Sequence, residues 1–479
     1  MGSFIAGFFT APFEKSEEGI KKSLFVRVVD KVLNGFPKPF AQPPPTWQKG
    51  LAKTSSNSWM IHTLTDNFDT PIPPSGEGGI KSVVMWGLFA LPVWGMAVIT
   101  LTAPIIPTMM LAGLLLPVLF FLLLSRTFEV NHLAVFLLLF IIVNMMAGFM
   151  SFTPRASIEI ALLVSLFMLA AIAVPACCRS QKSVDFFFLI FLAGAGVTGL
   201  VGIWQVFAGY ATQTWIDLDA FTDISLRVFS TLGNPNVYGT YLLLAIPLAA
   251  ACVVFLKHPF LKLCAAGLTV LLLINLVLTF SRGCYLALAL AAGIFVLIIE
   301  KRFVILFIPA ILALPFVLPP AVLNRLMSVI NFADMDTSTV FRLNIWRGTI
   351  RILQDFWMTG IGQGIGAYNM VYPYYALAAV VSPHSHNLFL QIFVELGIVG
   401  LVVFICILAC FFRTMVNFMR HATEFRLRVM GGAMIAAVIG FLFQGIFDYV
   451  FYNYRVQLTF YIFIGLCMAF AKVYGKARD

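Results

Sequence analysis

The sequence has few charged residues for its length. Only 11% of its 479 residues are charged, whereas 61% are hydrophobic and 48 are phenylalanine. Soluble globular chains carry about 25% charged residues. A helix needs about 20 apolar residues to cross a hydrocarbon core, and backbone in lipid must satisfy its own hydrogen bonds, which favours helices. The composition therefore predicts an all-α polytopic membrane protein.

The sequence also lacks the usual signs of a disulfide framework or a metal site. Its eight cysteines show no paired spacing, and none lies in a long predicted outer loop. Asp217 and Asp219 form an Asp-x-Asp run in a predicted outer loop. We interpret these two carboxylates as a solvated or arginine-paired surface rather than as metal ligands.

Apolar runs of membrane-spanning length predict about twelve transmembrane helices. They divide the chain into four parts. Residues 1–80 form a cytoplasmic N-terminal extension, partly disordered; residues 81–322 hold helices 1–9 with an outer loop at 209–235; residues 323–386 form a large extracytoplasmic loop with an amphipathic helix; and residues 387–479 hold helices 10–12 and a short cytoplasmic tail. The runs lie near 83–101, 104–124, 130–149, 157–177, 186–208, 236–256, 259–279, 283–299, 303–322, 387–412, 430–449 and 455–473.

Basic residues predict the orientation, because short cytoplasmic loops carry the excess of lysine and arginine. With the N-terminus inside, every predicted inner loop is basic, from Arg126 to the tail with Lys476 and Arg478. We therefore expect a multi-pass protein of the cytoplasmic membrane with both termini in the cytoplasm. The net charge of +10 then reflects topology and contact with anionic lipid, not a nucleic-acid site.

The predicted outer loops carry arginine but no lysine. A guanidinium offers a planar fork of donors that suits phosphate and carboxylate, so the set indicates a phosphate-bearing ligand. The alternative is that each arginine pairs with a nearby aspartate, and both interpretations stay open for any single residue. The outer arginines are Arg155, Arg227, Arg282, Arg325, Arg342, Arg347, Arg351 and Arg455.

Three motifs adjoin these arginines. An amphipathic helix is predicted near 338–357, with Arg347 and Arg351 on one face at i and i+4. The glycine-rich run from Gly360 to Gly366 lacks the lysine and context of a phosphate-binding loop, so we expect a flexible turn. The run HSHNLFLQIFVELGIVGL, which starts at His384, places two histidines and an asparagine directly before an apolar span.

These motifs resemble the O-antigen ligase and O-antigen polymerase superfamily. The resemblance rests on HSHNLFLQIFVELGIVGL, on RVFSTLGNPN from Arg227, on TFSRG from Thr279, and on Arg342, Trp346 and the glycine-rich turn, and it covers roughly residues 130–470. Two departures are Met358 and Thr359, which stand where a proline is expected before the turn, and the long N-terminal extension.

The resemblance implies an integral-membrane glycosyltransferase of cell-surface polysaccharide biosynthesis. Similar enzymes transfer a glycan from an undecaprenyl diphosphate carrier to an acceptor hydroxyl on a lipid, protein or glycan, at the outer face of the membrane. They are inverting, and the resemblance implies neither a metal nor a cofactor. Ligation of a finished glycan and polymerisation of repeat units both stay open.

The same resemblance assigns roles to matching positions. His386 is the expected general base, since imidazole titrates near neutrality, and Asn387 is expected to orient it or the acceptor. Arg227, Arg282 and Arg342 are the preferred ligands of the diphosphate, whose developing charge fixed cations would stabilise. Arg347, Arg351 and Arg455 are second choices for binding it, and His384 is expected to assist. The alternative for either histidine is a helix-capping or interfacial role.

Two acids near the motif carry separate expectations. Glu395 lies inside a span, where helical geometry places it on the opposite face from His386, so we expect a polar contact within the bundle. Asp448 is expected to pair with Arg455.

Two other classes of function stay open. Twelve spans alone also fit a transporter or flippase for a lipid-linked or polar substrate, although transporters place their ionisable residues near the bilayer midplane. A non-catalytic assembly protein would use the outer arginines for protein contacts and would not need His386.

Overall fold

The computed structural model describes residues 131–178, 180–210, 226–300, 337–377 and 380–475, with the single positions 302, 305 and 323. The predicted extension 1–80, the spans near 83–101 and 104–124, almost all of the span near 303–322, and Asp217 and Asp219 lie outside the described residues. Within those residues the chain forms eleven α-helices: α1 His132–Phe149, α2 Pro154–Cys177, α3 Gln181–Phe207, α4 Pro235–Phe255, α5 Pro259–Leu278, α6 Arg282–Ile299, α7 Thr337–Phe356, α8 Ile365–Val371, α9 Leu388–His421, α10 Phe425–Phe447 and α11 Tyr454–Gly475.

Nine of these helices are long and apolar enough to cross a membrane, namely α1 to α6 and α9 to α11. They coincide with nine of the twelve predicted spans, so the all-α polytopic architecture is confirmed for the described part of the chain. Helix starts follow local chemistry: α2, α4 and α5 have proline in the first turn, where its missing N–H costs nothing. The Asn234 side chain caps α4.

The C-terminal helices form the centre of the bundle. In α11 89% of the most apolar window is buried, whereas the figure for α5 and α6 is 22%, which places these two at the periphery. Helix α11 packs mainly against α2, α10 packs against α4 and α6, and α9 packs against α1. Large apolar side chains such as Leu139, Ile142 and Leu200 are exposed on the outer helices, as expected for surfaces that contact lipid.

The predicted amphipathic helix is confirmed as α7. It joins α8 and the short 3-10 helix Tyr372–Tyr374 in a small cluster, in which Ile345, Ile352, Tyr368 and Tyr372 are buried. Val394 of α9 belongs to the same cluster. The described part of the large loop therefore packs as one unit against the first part of α9.

The glycine-rich turn is held in place by backbone hydrogen bonds, and the expected flexibility of the turn stays a prediction. Helix α9 breaks at Gly397, where φ is +67°. The break frees backbone groups that bond the turn: Ile361 N–H donates to Val394 O at 2.8 Å, and Gly362 N–H donates to Glu395 O at 3.1 Å. Gly360 also has a positive φ of 68°, and a Cβ there would lie 2.4 Å from Glu395 O. The glycines allow two backbones to meet.

Candidate functional site

His386 and Asp448 form a contact between the start of α9 and the end of α10. Nδ1 of His386 lies 3.1 Å from Oδ1 of Asp448, and the side chain of His386 is 23% exposed. The same Oδ1 accepts the N–H of Tyr449 at 2.9 Å. When Nδ1–H donates to the carboxylate, Nε2 of His386 is left as an acceptor. An imidazole fixed in this way can accept a proton from a hydroxyl.

The charges around Asp448 keep it ionised. Burial alone raises the pKa of this carboxyl, but the hydrogen bond from His386 and the electrostatic effects of His386, Arg342 and His384 outweigh burial and lower the pKa to about 2. A carboxylate that stays negative at neutral pH stabilises the imidazolium that forms on proton uptake.

His384 supports His386 from behind. Its side chain is buried, and Nδ1 accepts the backbone N–H of His386 at 3.2 Å. The ring lies 4.2 Å from the ring of His386 and 4.7 Å from that of Tyr452. Burial, with the nearby charges of His386 and Arg342, lowers the pKa of His384 to about 3 despite the opposing effect of Asp448. His384 is therefore neutral at physiological pH.

Asn387 uses its amide to fix the two helices that carry the pair. Oδ1 caps α9 by accepting Leu390 N–H at 2.9 Å, and Nδ2 donates to Ile446 O at 2.9 Å. The first contact sets where α9 begins, and the second joins it to the end of α10. Asn387 thus positions His386 through the backbone; a contact with the acceptor stays a prediction.

Arg342 is the arginine of α7 that lies near the histidines. It is half-buried, and its charge acts on both His384 and Asp448. The ring of the preceding Phe341 meets the ring of His386 at 6.1 Å. Arg347 and Arg351 are exposed and lie about 140° and about 180° around the helix from Arg342. His384 and His386 together are called the histidine pair. The structure does not bring Arg347 and Arg351 to it.

Three further arginines hold or adjoin the ends of helices. Arg227 is buried, and its Nε donates to Thr279 O at 2.8 Å while Nη2 donates to Asn236 Oδ1 at 3.0 Å. Arg455 donates from Nη1 to Thr231 O at 2.6 Å. Both therefore brace the segment before α4. Arg282 is the first residue of α6 and is half-buried.

Asp448 is the partner of His386 and not of Arg455, so the expected ion pair was wrong. The two residues of the pair are 62 positions apart, and no local spacing in the sequence marks such a contact. The only signal was an aspartate at the outer end of a span. Glu395, in contrast, makes the expected polar contacts within the bundle, accepting Gln391 Nε2 at 2.9 Å and Gly364 N–H at 3.0 Å.

The histidine pair and Asp448 also offer a set of metal-ligand atoms. One ligand atom from each of His384, His386 and Asp448 lies within 4.8 Å of the others. Two imidazoles and a carboxylate suit Zn²⁺, whereas the neighbouring charge of Arg342 opposes any cation. The expectation of a metal-free site therefore stays a prediction.

Residues 267–405 match a family model described as O-antigen ligase. The match runs from α5 into α9 and supports the O-antigen ligase and polymerase superfamily as the family of this chain. It includes Arg282, Arg342, His384, His386 and Asn387, whereas Asp448 lies beyond it. No curated protein matches the chain.

Proposed function

We propose that this protein is an inverting glycosyltransferase that transfers a glycan from an undecaprenyl diphosphate carrier to an acceptor hydroxyl at the outer face of the cytoplasmic membrane. The O-antigen ligase match supports a ligase- or polymerase-type function in glycan biosynthesis. The observation that carries the specific reaction is the His386–Asp448 contact, which presents one imidazole nitrogen as a base beside a half-buried arginine.

In the proposed reaction His386 removes the acceptor proton. Nε2 accepts the proton of the hydroxyl as the oxygen attacks the anomeric carbon, and Asp448 stabilises the imidazolium. The bond from the anomeric carbon to the diphosphate oxygen breaks, and the diphosphate leaves with the electron pair. Attack opposite the leaving group inverts the anomeric configuration.

Arginines are proposed to stabilise the leaving diphosphate. Arg342 is the first choice because its charge already acts on His384 and Asp448, and Arg282, the first residue of α6, is the next choice. Fixed cations aimed at a developing charge need no reorganisation during the reaction. Arg227 and Arg455 support this role by holding the segment before α4.

The function is tested by transfer with the purified protein in lipid. Undecaprenyl diphosphate glycan is supplied with and without a separate acceptor, and wild type is compared with His386→Ala. We expect transfer by wild type and a loss of about 10²-fold or more in the variant. A ladder from the donor alone identifies a polymerase, and a single adduct that needs the acceptor identifies a ligase.

The control for this experiment is His258→Ala. His258 is exposed before α5, and its side chain makes no capping bond, so activity should be unchanged. Activity of His386→Ala equal to wild type contradicts the mechanism.

Asp448→Asn tests the contact between His386 and Asp448. A neutral amide of the same size lacks the negative charge that stabilises the imidazolium, so we expect transfer to fall by about 10-fold or more at pH 7. Asp355→Asn is the matched control, since Asp355 is an exposed residue of α7 whose Oδ2 accepts Tyr375 Oη–H at 2.6 Å. Equal rates for both variants would remove Asp448 from the mechanism.

Metal independence is tested by chelation. If arginines alone stabilise the diphosphate, EDTA leaves the rate unchanged, and added Zn²⁺ at the His384, His386 and Asp448 cluster inhibits by occupying the base. Loss of activity in EDTA that Mg²⁺, Mn²⁺ or Zn²⁺ restores would show that a metal is required.

A further inference from the structure

A narrow polar cavity adjoins His384 on the side of α9 and α11. Its walls come from α2, the glycine-rich turn, α9 and α11, with Gln363, Gln391, Glu395, Tyr452 and Gln457 among the lining residues. His384 is also part of the wall, and its ring is 4.2 Å from that of His386. The cavity is therefore one imidazole ring away from the proposed base.

Two buried amides face this cavity with unused hydrogen-bonding capacity. Gln363 is 6% exposed, and its Oε1 has no partner among the described residues. Gln457 is 4% exposed, and the described part of the chain gives its side-chain amide no hydrogen bond. A buried polar group without a partner costs about 1–3 kcal/mol. The unsatisfied Oε1 of Gln363, with the amide of Gln457 in the same wall, indicates that a polar ligand completes their bonding.

The charge of the lining selects the kind of ligand. No arginine or lysine is among the described residues that line the cavity, and its one acidic group is Glu395. Gln391 and Gly364 hold that carboxylate in place. The described lining offers no cation to bind a diphosphate, whereas neutral hydroxyls can exchange hydrogen bonds with the carboxyl group of Glu395 and with the amides.

The size of the cavity and its aromatic residues further restrict the kind of ligand that it can bind. Tyr452 and Tyr454 contribute to the wall beside the amides, and aromatic rings pack against the C–H face of a sugar. The open space is small, enough for one or two groups the size of a hydroxyl. This space admits one edge of a sugar but not a whole sugar ring.

We infer that this cavity binds the hydroxyl-bearing edge of a neutral sugar residue next to the glycosidic bond that is formed. The inference rests on the proposed glycan transfer, because it assigns the cavity to one of the two substrates. The sugar belongs either to the donor glycan or to the acceptor, and its hydroxyls would bond Gln363, Gln457 and Glu395.

The kinetic test is Gln457→Leu, which keeps the volume and removes the amide. Donor and acceptor are varied in turn. We expect KM to rise about three- to tenfold for the substrate whose sugar enters the cavity, as for the loss of one neutral hydrogen bond, with a smaller change in kcat. Gln457→Asn, which keeps an amide, should recover part of the effect. Gln354→Leu is the control, because Gln354 is exposed on α7. Unchanged KM values for both substrates in Gln457→Leu overturn the inference.

A binding measurement separates this inference from the proposed function. Saturation-transfer NMR with the methyl glycosides of glucose, galactose, mannose and N-acetylglucosamine is run on wild type, His386→Ala and Gln457→Leu, each shown to be folded by thermal unfolding. We expect a signal from at least one glycoside with wild type and His386→Ala, and its loss with Gln457→Leu.

Each outcome has one meaning. If glycoside binding depends on Gln457 but no donor supports transfer, the proposed function fails and the sugar site stands. If transfer depends on His386 but Gln457→Leu alters neither KM nor the NMR signal, the sugar site fails and the proposed function stands.

Discussion

At the scale of single residues, the site depends on which atoms of three side chains are already engaged. Asp448 Oδ1 contacts Nδ1 of His386, and Nδ1 of His384 accepts the backbone N–H of His386. The side chain of Asn387 caps the start of α9. His386 has a positive φ of 52°, an uncommon conformation for a residue with a side chain. These contacts hold the imidazole in one orientation, which leaves Nε2 for the proposed proton transfer.

The lowered pKa of His384 predicts that the stability of the folded protein depends on pH. Its folded pKa of about 3 is below the ordinary value of about 6.5, so between these values the unfolded chain binds the proton and the folded chain does not. This group therefore lowers stability as pH falls below about 6.5 and has no effect above it. His384→Gln cannot bind the proton. We expect its melting temperature in detergent, measured from pH 7.5 to pH 4.5, to fall less on acidification than that of wild type.

The control for His384→Gln is His258→Gln, at an exposed histidine, which should keep the wild-type slope. Parallel curves for wild type and His384→Gln would show that His384 takes up its proton without cost in the folded protein.

At the scale of elements, the break in α9 joins the membrane bundle to the unit formed by α7, α8 and the 3-10 helix Tyr372–Tyr374. A continuous helix would bond its own backbone between Val394 and Ile398. The break at Gly397 instead gives Val394 O and Glu395 O to the glycine-rich turn, and Ile398 N–H donates to Trp357 O at 2.9 Å. The unit of α7 and α8, which carries Arg342, is thereby fixed to the helix that begins beside His386.

Gly397→Ala tests this junction. A Cβ at Gly397 would lie 2.2 Å from Met358 O, and φ there is +67°, so alanine is strained in both respects. We expect a loss of stability of about 1–3 kcal/mol or more, seen as a lower melting temperature, and a fall in transfer. Gly267→Ala is the control: Gly267 lies within α5 with open space around its Cβ position, and alanine there should be neutral or slightly stabilising. Equal stability of the two variants would mean that the turn and the helix are not coupled.

At the scale of the whole molecule, charge and polarity are separated along the bundle. His384, His386, Arg342, Arg282 and Asp448 lie at or near one end of their helices. At the other end of α9 and α10, Glu424 of the connecting loop pairs with Arg426 in the first turn of α10. Transporters gather ionisable groups near the midplane. The described clusters at the helix ends favour a surface reaction over transport through the bundle.

Orientation is predicted to place the histidine pair outside the cell. In a Cys264→Ser background, which removes an exposed cysteine, a membrane-impermeant maleimide should label Gln354→Cys in intact cells. Thr423→Cys, in the exposed loop between α9 and α10, should be labelled only after lysis, because the positive-inside rule puts this loop in the cytoplasm. The reverse pattern would invert the topology and place the site on the cytoplasmic face.

The sequence by itself determined the class of protein, nine described spans and α7, because span length and helical periodicity are local properties of the chain. It also placed His386, Asn387, Arg282 and Arg342 in the part of the chain that matches the O-antigen ligase model. Only the tertiary structure decided which side chains meet. The pairing of His386 with Asp448, the turn that bonds a broken α9, and the polar cavity beside His384 each join segments far apart in sequence. Such contacts depend on how helices pack, and the apolar runs that predict each helix carry almost no information about its neighbours.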